Sequence, residues 1–385
     1  VNTQKNKKIR VRTKKNIYDY YQIQKFSFSD EIITRYVLSL MTKPFVILTG
    51  ISGTGKTKIA QLFASYMLQE CDASERNSRV AFVSVRPDWL DNKGLLGFYN
   101  ILDEKYNVTP ILKLLLAARD NPDKPHFVIL DEMNLAKVEH YFSDFLSIME
   151  SRTPDNPQGE ALVLHDRSEA LTHDGLLIPA RLHIPTNVYF TGTVNVDEST
   201  YMFSPKVLDR ANVIEFNEVL LDRQIDIPVS SSPFRFKQEN LLDVFPLDEN
   251  QPFSSSDDYR QCKEDCPDVV VGLSELLDEL KMHNMHFGYR VINEVCRFTR
   301  LANSHVSSFN PETVLDIQVV QKILPKFHGT QAKLEEPLNK LLAFAKVPAA
   351  SASSGTSDYR LPRTDRKLTA MLRKLDNQGY ADFIE

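Results

Sequence analysis

Gly50-Ile51-Ser52-Gly53-Thr54-Gly55-Lys56-Thr57 matches the pattern GxxxxGK[ST] at every fixed position. The chemistry behind that pattern is specific. Gly53 and Gly55 let the backbone turn so that successive N–H groups face one concavity, and the following helix N-terminus adds a positive dipole end. Lys56 supplies charge for β- and γ-phosphates, and the Thr57 hydroxyl is placed to ligate Mg²⁺. The flanks fit: Phe45-Val-Ile-Leu-Thr49 is an apolar run expected as a buried strand. Beyond it, Ile59, Ala60, Leu62, Phe63, Tyr66 and Met67 recur near a period of 3.6, which predicts a helix. The expected nucleotide-binding residues are Gly50, Ile51, Ser52, Gly53, Thr54, Gly55, Lys56 and Thr57.

Working outward, a helix is predicted over 30–41, and buried strands over 80–85, 127–130, 187–191 and 211–216. Strands alternating with helices predict an α/β unit with a parallel sheet covered on both faces. Phe127-Val-Ile-Leu-Asp-Glu132 is an apolar strand ending in two acids. Beside a phosphate-binding loop, Asp131 is expected to hold the hydration shell of Mg²⁺, and Glu132 to polarise the attacking water as general base. The next strand, Tyr189-Phe-Thr-Gly-Thr-Val-Asn195, ends in a neutral amide suited to orienting that water. Arg210 stands just before the fifth strand, where a planar guanidinium can stabilise a phosphoryl transition state from a neighbouring subunit. Arg290 opens a later helix on a side away from its apolar face of Val291, Ile292, Val295, Phe298 and Leu301.

The order of these features resembles an AAA+ nucleoside triphosphatase. Val85 to Tyr106 resembles the helix-2 insert of one clade, and Ala161–His165 with Leu177–Ile184 resembles its hairpin before the Asn-bearing strand. Asp131-Glu-Met-Asn134, Phe145-Leu-Ser-Ile-Met-Glu150 and Gly192-Thr-Val-Asn-Val-Asp197 are similar to McrB-like motors of modification-dependent restriction systems. The resemblance spans roughly residues 30 to 345. It implies a five-stranded parallel sheet and a small helical lid. It also implies that Thr57 and Asp131 hold Mg²⁺, and that Glu132, Asn195 and Arg210 are catalytic, with Asn195 as sensor 1, Arg210 as the trans-acting finger and Arg290 as a nucleotide-binding sensor 2. A homo-oligomeric ring is implied, a hexamer by family habit. The implied activity is Mg-dependent ATP or GTP hydrolysis that drives DNA translocation for an McrC-like nuclease subunit in anti-phage defence. A MoxR-like chaperone and a nucleotide-sensing scaffold with little turnover are the alternatives. Two departures stand out: Val196-Asp-Glu-Ser-Thr200 follows Asn195 where the family has two residues and then Asp-Arg-Ser, and its arginine run before the fifth strand shrinks to Asp209-Arg210. No Asn-Lys-x-Asp guanine reader is present, so ATP and GTP both stay open.

Composition bounds the rest. The chain has 385 residues, is 42% hydrophobic and 25% charged, and carries a net charge of −5. Its longest apolar runs fall short of the roughly 20 residues that cross a bilayer, so no membrane role is expected. Lys5, Lys7, Lys8, Arg10, Arg12, Lys14 and Lys15 give the first fifteen residues +7, leaving −12 for the other 370. That tail is either a solvated terminus or a nucleic-acid contact. Val1 in place of Met implies an upstream segment, where the family's variable recognition domain would lie. Cys262 and Cys266 lack a second ligand pair for zinc, and Cys71 and Cys296 read as ordinary thiols, as expected of a reducing cytoplasm. The expected organisation is a basic tail over 1–29, the α/β unit over 30–225 and a loop-rich connection over 226–269. A helical unit over 270–346 follows, then a flexible link and last helix over 347–385.

Overall fold

The computed structural model describes residues 16–26, 28–196, 201–217, 234–237, 241, 245, 253–346 and 359–384. Five strands form the central sheet: β1 (Phe45–Gly50), β2 (Val80–Ser84), β3 (His126–Asp131), β4 (Val188–Asn195) and β5 (Asn212–Glu215). All pairings are parallel and the spatial order is β2-β3-β4-β1-β5. The five expected strands and the parallel sheet are thus present.

Every residue of β1 is buried, and its neighbours divide strictly by parity. Phe45 and Ile47 join Val128, Leu130, Phe190 and Val213 on one face. Val46 and Leu48 join Phe127, Ile129 and Ile214 on the other, against the helices Asp30–Thr42 and Lys56–Met67. A continuous apolar run becomes a strand because successive side chains leave opposite faces of a sheet covered on both sides. The parallel arrangement also puts all strand C-termini on one edge, where Gly50, Asp131 and Asn195 lie together.

One glycine of β4 serves packing alone. A Cβ added to Gly192 would fall inside the buried thioether of Met133, which follows Asp131 and Glu132. Gly192→Ala is expected to cost about 1–3 kcal/mol through overpacking, read as a lower denaturant midpoint.

Two short hairpins interrupt the α/β pattern where the sequence places insertions. Gly97–Asn100 pairs with Lys105–Val108 after β2, and Ala161–Val163 pairs with Arg181–His183 before β4. Their strands are three or four residues long, and those before β4 are shorter than the stretches 161–165 and 177–184 that predict them.

Three readings need correcting. Ile17–Ile23 is a helix with Ile17, Tyr18 and Tyr21 buried, so the α/β unit begins within the segment assigned to the tail. The Tyr21 hydroxyl donates to the Ile59 carbonyl at 2.7 Å, tying this helix to the phosphate-loop helix. Ser256–Asp265, inside the expected connection, is also helical, capped by Ser255 and Asp258. Within the expected helical unit, the sequence pattern over 311–324 predicts one helix, but the regular helix ends at Gln318 and continues as a wider turn over Val319–Ile323. The basic residues 1–15, the prolines at 228 and 233, and the Ala/Ser-rich link at 347–357 lie outside the described residues.

The helical region contains Pro267–Lys281, Tyr289–His305, Pro311–Gln318 and Gln331–Ala345, and Pro362–Gln378 packs on the last of these. It is joined to the sheet by buried charge. Glu294, in Tyr289–His305, receives Lys43 Nζ at 2.7 Å and also pairs with Lys322. Burial raises the Glu294 carboxyl's pKa, but the Lys322 and Lys43 ammonium groups outweigh it and bring it down to about 2. A folded pKa depressed from about 4.5 gives stability that is present above that value and lost as pH falls towards 2. Glu294→Ala leaves two buried ammonium groups uncompensated, and about 3–5 kcal/mol should be lost in denaturant unfolding at neutral pH. The acid limb of the stability curve between pH 4.5 and 2 should flatten in the same variant.

Candidate functional site

The phosphate loop leaves β1 at Gly50 and enters the helix at Lys56. Gly50 has φ 146°, and a Cβ there would lie 2.5 Å from the Phe216 carbonyl oxygen, so no other residue fits. Gly55 has φ 95°, which only glycine adopts cheaply, and its open face rests on the Phe28 ring. Lys56 is 4% exposed, and its ammonium donates to the Gly50 and Ile51 carbonyls at 2.7 and 2.6 Å. The lysine is therefore curled into its own loop, its charge held where phosphate oxygens would enter.

Beside it the strand ends converge. Thr57 Oγ1 donates to Asp131 Oδ1 at 2.7 Å, and Thr193 Oγ1 donates to the same oxygen at 2.8 Å. The Glu132 backbone N–H donates to Thr193 Oγ1 at 3.0 Å. Glu132 sits at φ 54°, ψ 53°, a left-handed conformation that a non-glycine residue adopts only when its surroundings impose it. Asn195 Nδ2 donates to Glu132 Oε1 at 3.1 Å. The Asn134 amide in turn donates to the Asn195 carbonyl at 3.2 Å, and the Tyr141 hydroxyl to the Met133 carbonyl at 2.8 Å. So the Asp131–Glu132 turn is fixed from three sides, and its second carboxylate faces the amide of Asn195.

The donor set fits Mg²⁺. Thr57 and Asp131 offer hard oxygens within 2.7 Å of each other beside the loop. Mg²⁺ typically takes one or two protein oxygens and completes its shell with water and substrate phosphate. Among the described residues no cluster of three His, Cys, Asp or Glu side chains forms a metal cage, so a resident all-protein site of that kind is not what these residues build.

The two arginines are elsewhere. Arg210 precedes β5 and Arg290 opens Tyr289–His305, and both meet Glu150 at the end of the helix Ser143–Glu150. Arg210 Nε lies 2.8 Å from Glu150 Oε2. Arg290 pairs with Glu150 Oε1 and with Asp209 Oδ2. A cavity of about 90 Å³ beside them is lined by Lys43, Pro44, Glu150, Arg152, Arg290 and Glu294 among others. Pro44 precedes β1 and Gly50 ends it, so this cluster stands about 20 Å from the phosphate loop, six residues at roughly 3.3 Å each. Thr57, Asp131, Glu132 and Asn195 are brought together; Arg210 and Arg290 are brought together at the opposite edge. Arg290 does not reach the loop of its own chain.

Sequence reading missed Thr193, Glu150 and Asp209. Thr193 had one signal, since residues i and i+2 of a strand share a face and Asn195 was already marked. Glu150 and Asp209 had none, because their meaning arises only where three distant segments meet.

Among known proteins, a family model described as an AAA domain (dynein-related subfamily) matches residues 45–211. A second, Domain of unknown function (DUF8727), matches residues 246–380. The "Type IV methyl-directed restriction enzyme EcoKMcrB subunit" of Escherichia coli (strain K12) is 25% identical over 213 residues. That alignment covers 52% of this chain and 40% of the bacterial protein, so less than half of the relative's length is represented. A candidate ATPase from Cytophaga hutchinsonii ATCC 33406, known from a crystal structure, aligns over 80% of this chain and 84% of that one. Its identity is 13% and its TM-score 0.41.

Proposed function

We propose, from the premise that residues 45–211 are an AAA domain on an α/β AAA+ fold with a helical lid, that this chain hydrolyses nucleoside triphosphate in a ring. The observation that carries the reading is the joined pair of contacts at the strand ends: Thr57 and Thr193 on Asp131, and Asn195 on Glu132. Lys56, the loop N–H groups and the helix N-terminus take the phosphates. Thr57 and Asp131 would hold Mg²⁺, which when bound would supply charge neutralisation to the transferring phosphoryl group. Glu132 accepts the proton of the attacking water, and Asn195 fixes the carboxylate in the orientation for doing so.

A phosphate loop at one sheet edge and an arginine pair at the other support a composite site between neighbouring subunits. In that arrangement Arg210 of one subunit meets the γ-phosphate held by the next, so assembly and hydrolysis are coupled. The likeness to the McrB subunit supports a motor acting on DNA for a partner nuclease, in an McrBC-type restriction system. No described helix is long and apolar enough to cross a membrane. Phosphate release measured with ATP and with GTP, each with and without DNA and an McrC-like nuclease, tests this reading. Stimulation by DNA or the nuclease is expected. Stimulation by a protein substrate alone would favour a remodelling chaperone, and no release under any condition would favour a nucleotide-sensing scaffold.

A further inference from the structure

The arginine cluster is asymmetric in a way that assigns its two members different jobs. Arg210 approaches Glu150 through Nε, and among the described residues its two terminal Nη groups have no partner. Arg290 is the reverse: Nη1 is spent on Glu150 and Nη2 on Asp209, while its Nε is buried and unpartnered. A guanidinium recognises phosphate best through paired N–H groups. Among the described residues, no hydrogen bond occupies that edge of Arg210. Arg290 would have to break two ion pairs to offer it.

The rest of the cluster converges on Arg210. Lys322, fully buried, donates to the Asp209 carbonyl at 2.9 Å and the Ala211 carbonyl at 3.0 Å, gripping the backbone on either side of it. Glu294, one turn after Arg290 in the same helix, compensates that lysine. Lys326 Nζ stands 3.7 Å from the second oxygen of Asp209. The lid helix thus contributes Arg290 and Glu294, and both act on the segment 209–211.

We infer that Arg290 and Glu150 are positioning residues, which hold Arg210 by its Nε edge and present its Nη groups outward, and that Arg290 does not itself contact the nucleotide. The inference rests on the composite-site reading and states how that site is regulated. A shift of the lid helix moves Arg290 and Glu294 together, and through Glu150 and Lys322 it moves the arginine offered to the next subunit. Lid position in one subunit is thereby linked to hydrolysis in its neighbour. No bond is made or broken in this step; only ion pairs are rearranged.

A double-mutant cycle on assembled rings tests it. Glu150→Ala and Arg290→Ala should each lower kcat by about 10–100-fold, the scale of a misplaced catalytic group, with KM for nucleotide within about two-fold of the parent. The double variant should be no slower than the slower single variant, because both act through one ion pair. A double loss equal to the product of the single losses would overturn the inference, as would parental turnover in Arg290→Ala. Sedimentation velocity with a non-hydrolysable nucleotide confirms that each variant assembles. Should an alanine variant fail to assemble, Glu150→Gln or Arg290→Gln replaces it at the same position, keeping a polar side chain and removing the charge. Arg210→Ala runs alongside. Parental turnover there sinks the composite site itself, whereas a dead Arg210→Ala with a multiplicative cycle sinks only the positioning role.

Discussion

Glu132→Gln protein should bind Mg-nucleotide as tightly as the parent and hydrolyse it at least about 100-fold more slowly. The substitution keeps the side chain's length and leaves a carbonyl oxygen for the Asn195 amide, now 3.1 Å from Glu132 Oε1. It removes only the negative charge that takes up a proton, and a positioned general base contributes about 10²–10⁴-fold. The phosphate side is untouched, because the Thr57 and Thr193 hydroxyls donate to the Asp131 carboxylate, and Thr193 meets Glu132 only at its backbone N–H. Binding of a fluorescent nucleotide and steady-state phosphate release, measured on one preparation, separate the two effects. Equal loss of affinity and turnover would mean that the left-handed turn at Glu132 had collapsed; parental turnover would remove Glu132 as the base. Asn195→Ala should give a smaller loss, because it frees the carboxylate without discharging it.

Arg210→Ala is expected to cost more, about 10³–10⁵-fold in kcat, the range found when a guanidinium that stabilises phosphoryl transfer is removed. On the composite-site proposal this loss is collective. Arg210 lies at the level of Pro44, at the start of β1, and the loop that binds phosphate lies at its end. A dilute, unassembled subunit should therefore bind nucleotide equally well with or without Arg210 and turn over neither. Only at concentrations where rings form should the parent become active while the variant stays silent. Specific activity measured against protein concentration distinguishes the two: a rise in the parent and a flat line in Arg210→Ala. A fall in activity that is independent of concentration would place Arg210 in its own chain's site.

What could be read in advance was whatever is local. The phosphate loop, the acids closing β3 and the amide closing β4 each lie within a few residues, flanked by apolar runs whose burial a parallel sheet requires. The sheet order places their ends together without further information. The helix Ser256–Asp265 was illegible because its stretch is polar and proline-flanked. It forms through the capping box at Ser255 and because Asp258, fully buried, meets Arg297 and Arg300 of the lid helix. Ile17–Ile23 was hidden behind a basic tail, and its signal is only three buried side chains and an Asn16 cap. The wide turn at Val319–Ile323 carries Gln321 and Lys322 inward, polar residues that no apolar periodicity would place there. Glu150, Asp209 and Arg290 make the same point about function. Glu150 and Asp209 are ordinary surface residues in sequence and Arg290 is marked only through the resemblance; their shared contacts arise only where three distant segments meet.

Mixing two inactive variants tests the composite site most directly. Glu132→Gln subunits lack the base but present Arg210; Arg210→Ala subunits lack the arginine but keep Thr57, Asp131, Glu132 and Asn195. Titrated together at fixed total concentration, the pair should regain phosphate release, peaking at intermediate ratios, because some interfaces then combine an intact base with an intact arginine. Silence at every ratio, in rings shown by sedimentation to contain both variants, would contradict it.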